Sequence, residues 1–538
     1  HELLPPAGGT GLEDAIVCAA PLHNINCPHG VVLMGRGGRL HISSVRAPPR
    51  AASATRYDVA WPMTKMGLRA TGHYVCHLPL AKAIVVAISV AELLPDTAPQ
   101  PKNPNAPNAK ADNVAVAALE GAPRYQERYE LRLLDETTWA TLDTYPLGEQ
   151  EWVTALQLMT LQREMPNPNA PNPATLPAHL RNLPMSAERI RKPTPLLVVG
   201  TAVVLGEDSN CTGRLLLLDI DSVLEGGAGK GGGEAGEGEG EGDADEGSMR
   251  MVRRFRVAVD HEERGPILSV AQMQGKLQVG VGAKLVTFIY REDALVTFAF
   301  YIAGFGVSAL ATLRNYVFAG DVHQGAQLLT WKEDKQSLVL VSRHLRTTSA
   351  FACDFLLHEG TLHLVLAEAG PAGSRPTLRL LNYSRQAEES RRGTILLPRA
   401  SFHVGAPITR LQRVAVGGAG AGGTGAGGAR RQAVLWAAAD GSIGFVVPLG
   451  ETAFRRLGFL ATKMVGGLRH DGALHPRAWR ALGTSATSAR ELKNMLDGGL
   501  IGRFLELGAD EQRRLAMQIG STPAKVAEAL TELARGLP

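Results

Sequence analysis

The sequence contains few aromatic residues, few cysteines and no long apolar run. Aromatic residues make up 5% of the 538 residues, and there are five cysteines. Cysteines so few and so scattered cannot supply a disulfide framework, so we expect reduced thiols in an intracellular protein. No apolar run approaches the ~18 residues that a membrane span requires. The best candidate, from Ala83 to Ala91, predicts a buried strand.

Motifs of catalysis are also missing. The sequence has no Gly-x-Ser-x-Gly elbow and no His-Glu-x-x-His motif. Gly229-Lys230-Gly231 is not a phosphate loop, because Leu224 stands where its first glycine belongs and Gly231 stands where Ser or Thr would bind magnesium. Asp219 and Asp221 share one face of a predicted strand, but such residues cap a turn more often than they form a catalytic pair. We expect no catalytic residue, no cofactor and no enzymatic activity.

The spacing of histidine and cysteine near the amino terminus does not favour a metal site. The candidate ligands are His23, Cys27, His29, His73, Cys76 and His77. Their spacings differ from the ligand pairs of zinc knuckles. Alternation along a strand also places His73 and Cys76 on opposite faces. We therefore predict strand and turn residues here, and no bound metal.

The formal net charge of +4 conceals one acidic segment. Residues 225–248 hold eight acids and one lysine, a net charge of −7, which leaves +11 for the rest of the chain. A platform for single-stranded RNA would interleave aromatic and basic residues. Here Lys and Arg are dispersed, and Tyr316, Trp331 and Tyr383 fall inside apolar strand patterns. These three aromatic side chains are predicted to lie in a core.

Seven stretches of the sequence share one pattern of apolar and polar residues that is typical of short β-strands. They open at Ile16, Gly72, Val153, Ile267, Val307, Phe351 and Ile408. In the most regular part, the units lie about 40 residues apart, and each contains further short apolar runs after polar turns. Such a unit cannot bury its own faces, so the repeat predicts a β-propeller, with seven blades.

Low-complexity inserts account for the long gaps between units. They are residues 98–112, 166–178, 225–248 and 417–428. Their Pro/Asn, Gly/Glu and Gly/Ala compositions cannot bury enough apolar area to offset the entropy of ordering. We expect four disordered surface loops, which propellers tolerate because loop-closure entropy grows only logarithmically with length.

Near residue 450 the apolar period changes from 2 to 3.6, which predicts helices. One helix is expected from Thr452 to Leu468. A second apolar stripe, interrupted by Gly498-Gly499, consists of Leu492, Leu496, Leu500, Phe504 and Leu507. Two short helices follow, and Thr522-Pro523 is a good start signal for the last. The sequence thus predicts a β-propeller over residues 1–449 and a small α-helical domain over 450–538, with the stripe in the core of the helical domain.

The run Lys493–Leu500, followed by Phe504-Leu505, resembles a signature of a family of large triple-propeller scaffolds, Asn-x-(apolar)-Asp-Gly-x-Leu. The family includes the damage-binding adaptor of cullin ubiquitin ligases, a large splicing-factor subunit and the largest subunit of a polyadenylation factor. The positions that carry the resemblance are Asn494, Leu496, Asp497, Gly498, Leu500 and Phe504.

Further segments are similar to the polyadenylation branch of this family, at and after the start of its third propeller. They include His23–Gly30, Ala60–Lys65, Thr71–Val75, Phe402–Ala406, Asp440–Gly444, Pro476–Arg480 and Ile519–Pro523. The resemblance extends from about Asp14 to Leu533 and is broken only by the inserts. Because the sequence also begins with His1 rather than Met, we expect it to be the carboxyl-terminal part of a longer protein.

The resemblance implies a nuclear scaffold for pre-mRNA 3′-end processing. Family members hold a WD-repeat subunit and a CCCH zinc-finger subunit, which read the AAUAAA signal, while the scaffold neither cuts RNA nor adds adenosines. Contact with pre-mRNA would then be mostly indirect. Arg477, Arg480 and Arg503 are candidate interface residues, because arginine is enriched at binding hot spots.

Two alternatives remain open from the sequence. The chain could serve a ubiquitin-ligase or splicing complex of the same family, in which case a cullin or splicing subunits would co-purify with it. The predicted propeller could instead bind AAUAAA-containing RNA directly, with a strong dependence on salt.

Overall fold

A computed structural model describes most of the chain. The residues described are 16–22, 30–35, 40–44, 66–93, 125–166, 189–204, 211–225, 250–358, 360–369, 375–416, 431–468, 475–481 and 494–535. The four predicted inserts lie outside these ranges, except that Pro166 and Glu225 each end a strand. His23, Cys27, His29 and Leu492 also lie outside the described residues.

Strands of the described residues form consecutive antiparallel meanders. The first three comprise β1 (Ile16–Leu22), β2 (Gly30–Gly35) and β3 (Leu40–Ser44); β4 (Thr71–Leu78), β5 (Ala83–Leu93), β6 (Tyr125–Asp135) and β7 (Thr141–Pro146); and β8 (Glu151–Pro166), β9 (Arg189–Val203), β10 (Gly213–Glu225) and β11 (Arg250–Glu263). The fourth and fifth comprise β12 (Ile267–Met273), β13 (Lys276–Val281), β14 (Lys284–Arg291) and β15 (Ala294–Ile302); and β16 (Val307–Leu313), β17 (Tyr316–Asp321), β18 (Gly325–Lys332) and β19 (Ser337–Arg343). The last two comprise β20 (Ser349–His358), β21 (Thr361–Ala369), β22 (Thr377–Asn382) and β23 (Leu397–His403); and β24 (Ile408–Val416), β25 (Arg431–Ala438) and β26 (Ile443–Val446).

The predicted strand repeat is therefore present, since each predicted opening lies in the first strand of one meander. The fold is mainly β. The meanders β8–β11 and β12–β15 share one sheet through a short parallel pairing of β14 with β8. The apolar run from Ala83 forms the buried strand β5, as predicted.

A bulge occurs at the same place in the first strand of every meander. In each of these strands the pairing register skips one residue. The skipped residue directly follows the first residue of the predicted repeat unit or, in β20, is that first residue. The skipped residues are Val17, His73, Thr154, Leu268, Ser308, Phe351 and Thr409. A bulge bends a strand and increases its twist, so the shared bulge gives the first strands a common shape.

Two of the bulged residues tie one meander to the next. The Thr154 hydroxyl donates hydrogen bonds to the carbonyls of Gly200, at 3.0 Å, and Ile267. In the same way, the Ser308 hydroxyl donates to the Ala350 carbonyl at 2.6 Å. A hydroxyl at the bulge thus satisfies carbonyl groups that the irregular pairing leaves available.

Contacts divide the chain into two compact units. One comprises Met66–Ile302 and Glu333–Ser337, and the other comprises His1–Lys65, Ala303–Lys332 and Leu338–Pro538. Each has its own buried core. Fully buried side chains of the first unit include Leu131, Leu133, Leu161 and Phe288, and those of the second include Phe318, Phe355, Leu364 and Phe504. Trp331 is buried, and Tyr316 and Tyr383 pack against the core, as the sequence predicts.

After β26 the chain is helical. The helices are α1 (Glu451–Gly467), α2 (Pro476–Arg480), α3 (Gly498–Gly502), α4 (Ala509–Gln518) and α5 (Pro523–Arg535), and a 3-10 turn (Arg503–Glu506) follows α3. The predicted start of the last helix is confirmed, because the Thr522 hydroxyl accepts a hydrogen bond from the Lys525 N–H at 3.4 Å. Among these helices of the described residues, none has the length and hydropathy of a membrane span.

Two expectations from the sequence differ from the structure. Leu496 precedes α3 and Phe504 lies in the 3-10 turn, so the stripe is not one interrupted helix. The physical reason is that Asp497 has extended backbone angles and is the N-cap of α3, so the helix begins at Gly498 and does not include Leu496. Asp219 and Asp221 do not cap a turn either. Both lie within β10 and form ion pairs with Arg256 of β11, at 2.5 and 3.1 Å.

Candidate interaction site at the sheet-to-helix junction

Arg480, at the end of α2, joins three segments that are distant in the sequence. Its Nε donates a hydrogen bond to Asp497 Oδ2 at 2.7 Å, and its Nη1 donates to the carbonyl oxygen of His403 at 3.0 Å. The guanidinium also lies 4.4 Å from the centre of the Phe402 ring. Charge-assisted hydrogen bonds and a cation–π contact together fix α2 against β23 and the start of α3.

Asp497 has a second role as the N-cap of α3. Its Oδ1 accepts hydrogen bonds from the N–H groups of Gly499, at 3.0 Å, and Leu500, at 3.3 Å. These are two of the N–H groups that a helix start leaves without an intrahelical partner. One carboxylate therefore starts α3 and binds Arg480.

The other signature residues divide between the sheet and the helical core. Asn494 donates from Nδ2 to the carbonyl oxygen of Arg399, in β23, at 2.7 Å. Leu500 and Phe504 are buried among the helices, and Leu496 packs against the same core. Of the predicted apolar stripe, Leu496, Leu500, Phe504 and Leu507 thus contribute to the core of the helical region, as predicted. Gly498 is exposed and is the first residue of α3.

Trp479 covers the end of β23. Its ring meets His403 edge to face, with centroids 4.7 Å apart, and its Cζ2 atom lies 3.1 Å from the position a Cβ on Gly405 would take. Gly405 has φ +107°, which also favours glycine. Burial, together with Arg480 and Arg375, lowers the pKa of His403, so its ring is neutral at neutral pH.

The three predicted interface arginines differ in their surroundings. Arg480 is mostly engaged in the internal contacts above, and Arg503 is half-buried in the 3-10 turn. Arg477 is exposed and donates from Nη2 to the Thr462 hydroxyl of α1 at 2.6 Å. Phe459, three residues before Thr462, is 65% exposed on the same helix face. We call Phe459, Thr462 and Arg477 the tail patch.

Phe459 was missed by the sequence analysis. The signal was present, since Phe459 lies off the apolar stripe of Leu457, Leu460 and Met464, which are buried. A large aromatic side chain on the solvent side of an amphipathic helix is accessible to a partner. The tail patch combines such a side chain with arginine, which is the chemistry of protein–protein hot spots.

Other candidate ligands have ordinary structural partners. His73 Nε2 lies 2.8 Å from the Ser89 hydroxyl, and Cys76 packs against a core. Within the described ranges, no three His, Cys, Asp or Glu side chains are grouped as a metal site, and Cys76, Cys211 and Cys353 form no disulfide.

Comparison with known proteins identifies the family. Residues 128–506 match the family model of the CPSF A subunit region. The chain is 28% identical over 529 residues to a probable cleavage and polyadenylation specificity factor subunit 1 of Oryza sativa subsp. japonica, covering 96% of this chain and 32% of that protein. It is 27% identical over 537 residues to cleavage and polyadenylation specificity factor subunit 1 of Arabidopsis thaliana, covering 97% and 32%. Protein cft1 of Schizosaccharomyces pombe is 23% identical over 525 residues, again covering 97% and 32%.

The chain thus spans about a third of the length of the curated relatives it matches. The family match covers β8 to β26 as well as the signature residues, Arg477 and Arg480. Because this match extends over more than half of the sequence, the chain belongs to the CPSF A subunit region family.

Proposed function

We propose that this chain is part of a non-catalytic scaffold subunit of the pre-mRNA 3′-end cleavage and polyadenylation complex, and that it acts in the nucleus. The observation that carries the proposal is similarity along nearly the whole chain to proteins named as subunit 1 of a cleavage and polyadenylation specificity factor. A specificity factor is named for recognition rather than for catalysis, in keeping with a scaffold.

The proposed architecture is a seven-bladed propeller within residues 1–449, followed by a helical domain in residues 450–538. Its support is the seven consecutive meanders of the described residues, all with a bulge at the same place. The ties from Thr154 to Ile267 and from Ser308 to Ala350 join the first strands of successive meanders, as propeller blades require.

The proposed partners are the WD-repeat and CCCH zinc-finger subunits that read AAUAAA, with pre-mRNA bound mostly through them. A rigid β scaffold favours such docking because little side-chain and loop entropy is lost on binding. We assign the tail patch to a protein partner. Two contacts support the tail patch by holding α2 and α3 against β23. They are the ion pair of Arg480 with Asp497 and the hydrogen bond from Asn494 to the carbonyl of Arg399.

Affinity purification of the tagged full chain from nuclear extract tests the proposal. We expect mass spectrometry to recover the WD-repeat and zinc-finger polyadenylation subunits. A Phe459→Glu/Arg477→Glu variant should recover at least fivefold less of one of them. Arg513→Glu, at an exposed site on α4, serves as the matched control and should leave recovery unchanged.

Recovery of a cullin or of splicing subunits in place of polyadenylation subunits would overturn the assignment. Nuclease or polymerase activity of the purified chain would contradict the non-catalytic role. Equal loss of partners in the tail-patch and control variants would remove the tail patch from the interface.

A further inference from the structure

Three arginines converge on one buried carboxylate in the sheet of β8, β9 and β14. Glu164 of β8 lies opposite Arg191 of β9 and opposite Arg291 of β14. Its oxygens lie 3.3 Å from Arg191 Nε, 3.2 Å from Arg291 Nη2 and 3.9 Å from Arg189 Nη1. We call Arg189, Arg191 and Arg291 around Glu164 the arginine site.

The arginine site has an excess of positive charge. Three guanidinium groups face a single carboxylate, whose side chain is 10% exposed, whereas the arginine side chains are 39%, 65% and 35% exposed. Neighbouring groups do not cancel the excess. Among the described residues, Arg163 is paired with Asp293, and Lys192 offsets Glu292. Glu188, which precedes Arg189 in the sequence and lies outside the described residues, adds one negative charge. The described side chains therefore carry an excess of two positive charges, and one of these still remains for an external anion when Glu188 is counted.

The geometry points to an extended peptide with acidic residues at alternate positions. We propose that the arginine site binds such a segment of a partner protein. Arg189 and Arg191 are two residues apart on one strand, so their side chains leave the same face about 6.6 Å apart along it. Carboxylates two residues apart on an extended chain have the same spacing.

Two observations favour a short acidic peptide over nucleic acid. The excess is at most two charges, whereas binding of an RNA backbone depends on several phosphate contacts. Val296, which is 38% exposed and pairs with Ile289 of β14, shares a face with Arg291 and offers an apolar contact for a peptide side chain.

Fluorescence anisotropy with the full chain tests the site. The probe is a labelled acetyl-Glu-Ser-Glu-Ser-Val-Ser-Val-amide, compared with a peptide of the same composition in which the two glutamates are adjacent. We expect the alternating peptide to bind more tightly. Arg189→Gln/Arg191→Gln/Arg291→Gln should weaken its binding roughly tenfold, since each exposed ion pair makes only a small contribution to affinity. The corresponding triple lysine variant should retain most of the affinity.

The matched control removes the same charge elsewhere. Arg391→Gln/Arg392→Gln/Arg455→Gln, at three exposed positions, should leave peptide binding unchanged. Glu164→Gln keeps all three arginines and adds one unit of positive charge, so it should bind the peptide at least as tightly. Thermal unfolding shows whether the triple glutamine variant is folded. If it is not, Glu164→Gln still tests the proposal.

Several results would overturn the proposal. One is equal weakening by the control variant, which would indicate unspecific attraction. A second is loss of oligouridine binding, without loss of peptide binding, in the triple glutamine variant, which would identify a nucleic-acid site. A third is peptide binding only after the acids of residues 225–248 are neutralised, which would mean that the chain fills the site itself. None of these results bears on the scaffold proposal, because the anisotropy assay uses the purified chain in the absence of partner proteins.

Discussion

Arg480 and Asp497, 17 residues apart in the sequence, are joined by a 2.7 Å hydrogen bond at the junction of β23, α2 and α3. Arg480 also holds the carbonyl of His403, while Asp497 caps α3. The Asp-Gly pair of the family signature thus has a structural explanation, because the carboxylate both starts a helix and attaches it to the sheet. We infer that these signature residues position the surrounding surface rather than contact a partner.

Replacing Asp497 by alanine should destabilise the helical region by about 2–3 kcal/mol. Loss of an N-cap costs about 1 kcal/mol, and loss of a hydrogen bond between charged groups adds a similar or larger amount. Urea unfolding followed by circular dichroism at 222 nm measures the change. Asp510→Ala is the control, since Asp510 is 96% exposed and its pair with Arg513 should contribute less than about 0.5 kcal/mol. Equal effects of the two substitutions would contradict the assigned role of Asp497.

Arg379 and Glu368 form a buried ion pair that should be sensitive to single substitutions. Their side chains are 1% and 3% exposed, with Nε and Oε1 2.5 Å apart, and Thr348 also donates to Glu368. Arg379→Met would leave an uncompensated buried carboxylate, so we expect a loss of about 3–5 kcal/mol in the free energy of unfolding.

The double variant Arg379→Met/Glu368→Leu distinguishes charge from packing. It should recover much of the loss, because neither charge then remains buried. Arg455→Met, which breaks an exposed pair with Glu451, should change stability by less than about 0.5 kcal/mol. If the double variant is as unstable as the single one, packing rather than charge accounts for the effect.

The order of strands was predictable from the sequence, but the bulges were not. Alternating apolar residues mark each strand, as at Ile267 and Val307, because strands bury alternate side chains. A bulge is defined by pairing between two strands, and no local pattern distinguishes Thr154 or Ser308 from an ordinary strand residue. Their hydroxyl contacts to Ile267 and Ala350 span 113 and 42 residues.

The candidate sites were predictable only in part. The Asn-x-Leu-Asp-Gly-x-Leu pattern identified Asn494 and Asp497, but not their contacts with Arg399 and Arg480, which depend on tertiary structure. The arginine site was missed because Arg291 is about 100 residues from Arg191 in sequence, so the positive charges appear dispersed until β8, β9 and β14 are placed side by side.

Gly200 should not tolerate even alanine. A Cβ at this position would lie 2.5 Å from Ile267 Cγ2 and 3.3 Å from the Ala155 Cβ. Overpacking of this kind costs about 1–3 kcal/mol, so Gly200→Ala should lower the midpoint of thermal unfolding. Gly466→Ala is the opposite case. No atom lies within 4 Å of its would-be Cβ in α1, and alanine has higher helix propensity, so that variant should be as stable as the parent or more stable. An unchanged midpoint of thermal unfolding in Gly200→Ala would show that β8 and β12 pack less closely than these distances imply.

His344 should make the protein less stable in mild acid. It is 5% exposed, and this burial is the main reason that its pKa is lowered from 6.5 to about 4. Glu368 opposes the shift in pKa, whereas Arg379 and Arg346 reinforce it. Residue 344 of the unfolded chain therefore binds a proton at a higher pH than the buried His344 of the folded protein. The contribution of neutral His344 to the free energy of unfolding is complete above about pH 6.5 and is lost as the pH falls toward 4. Between pH 7 and pH 5 we expect a loss of about 2 kcal/mol from this residue alone. Urea unfolding at both pH values, for the parent and for His344→Leu, isolates the contribution, since the other titrating groups are common to both proteins. The parent should lose about 2 kcal/mol more than the variant on acidification, and an equal loss in the two proteins would mean that His344 is protonated in the folded state.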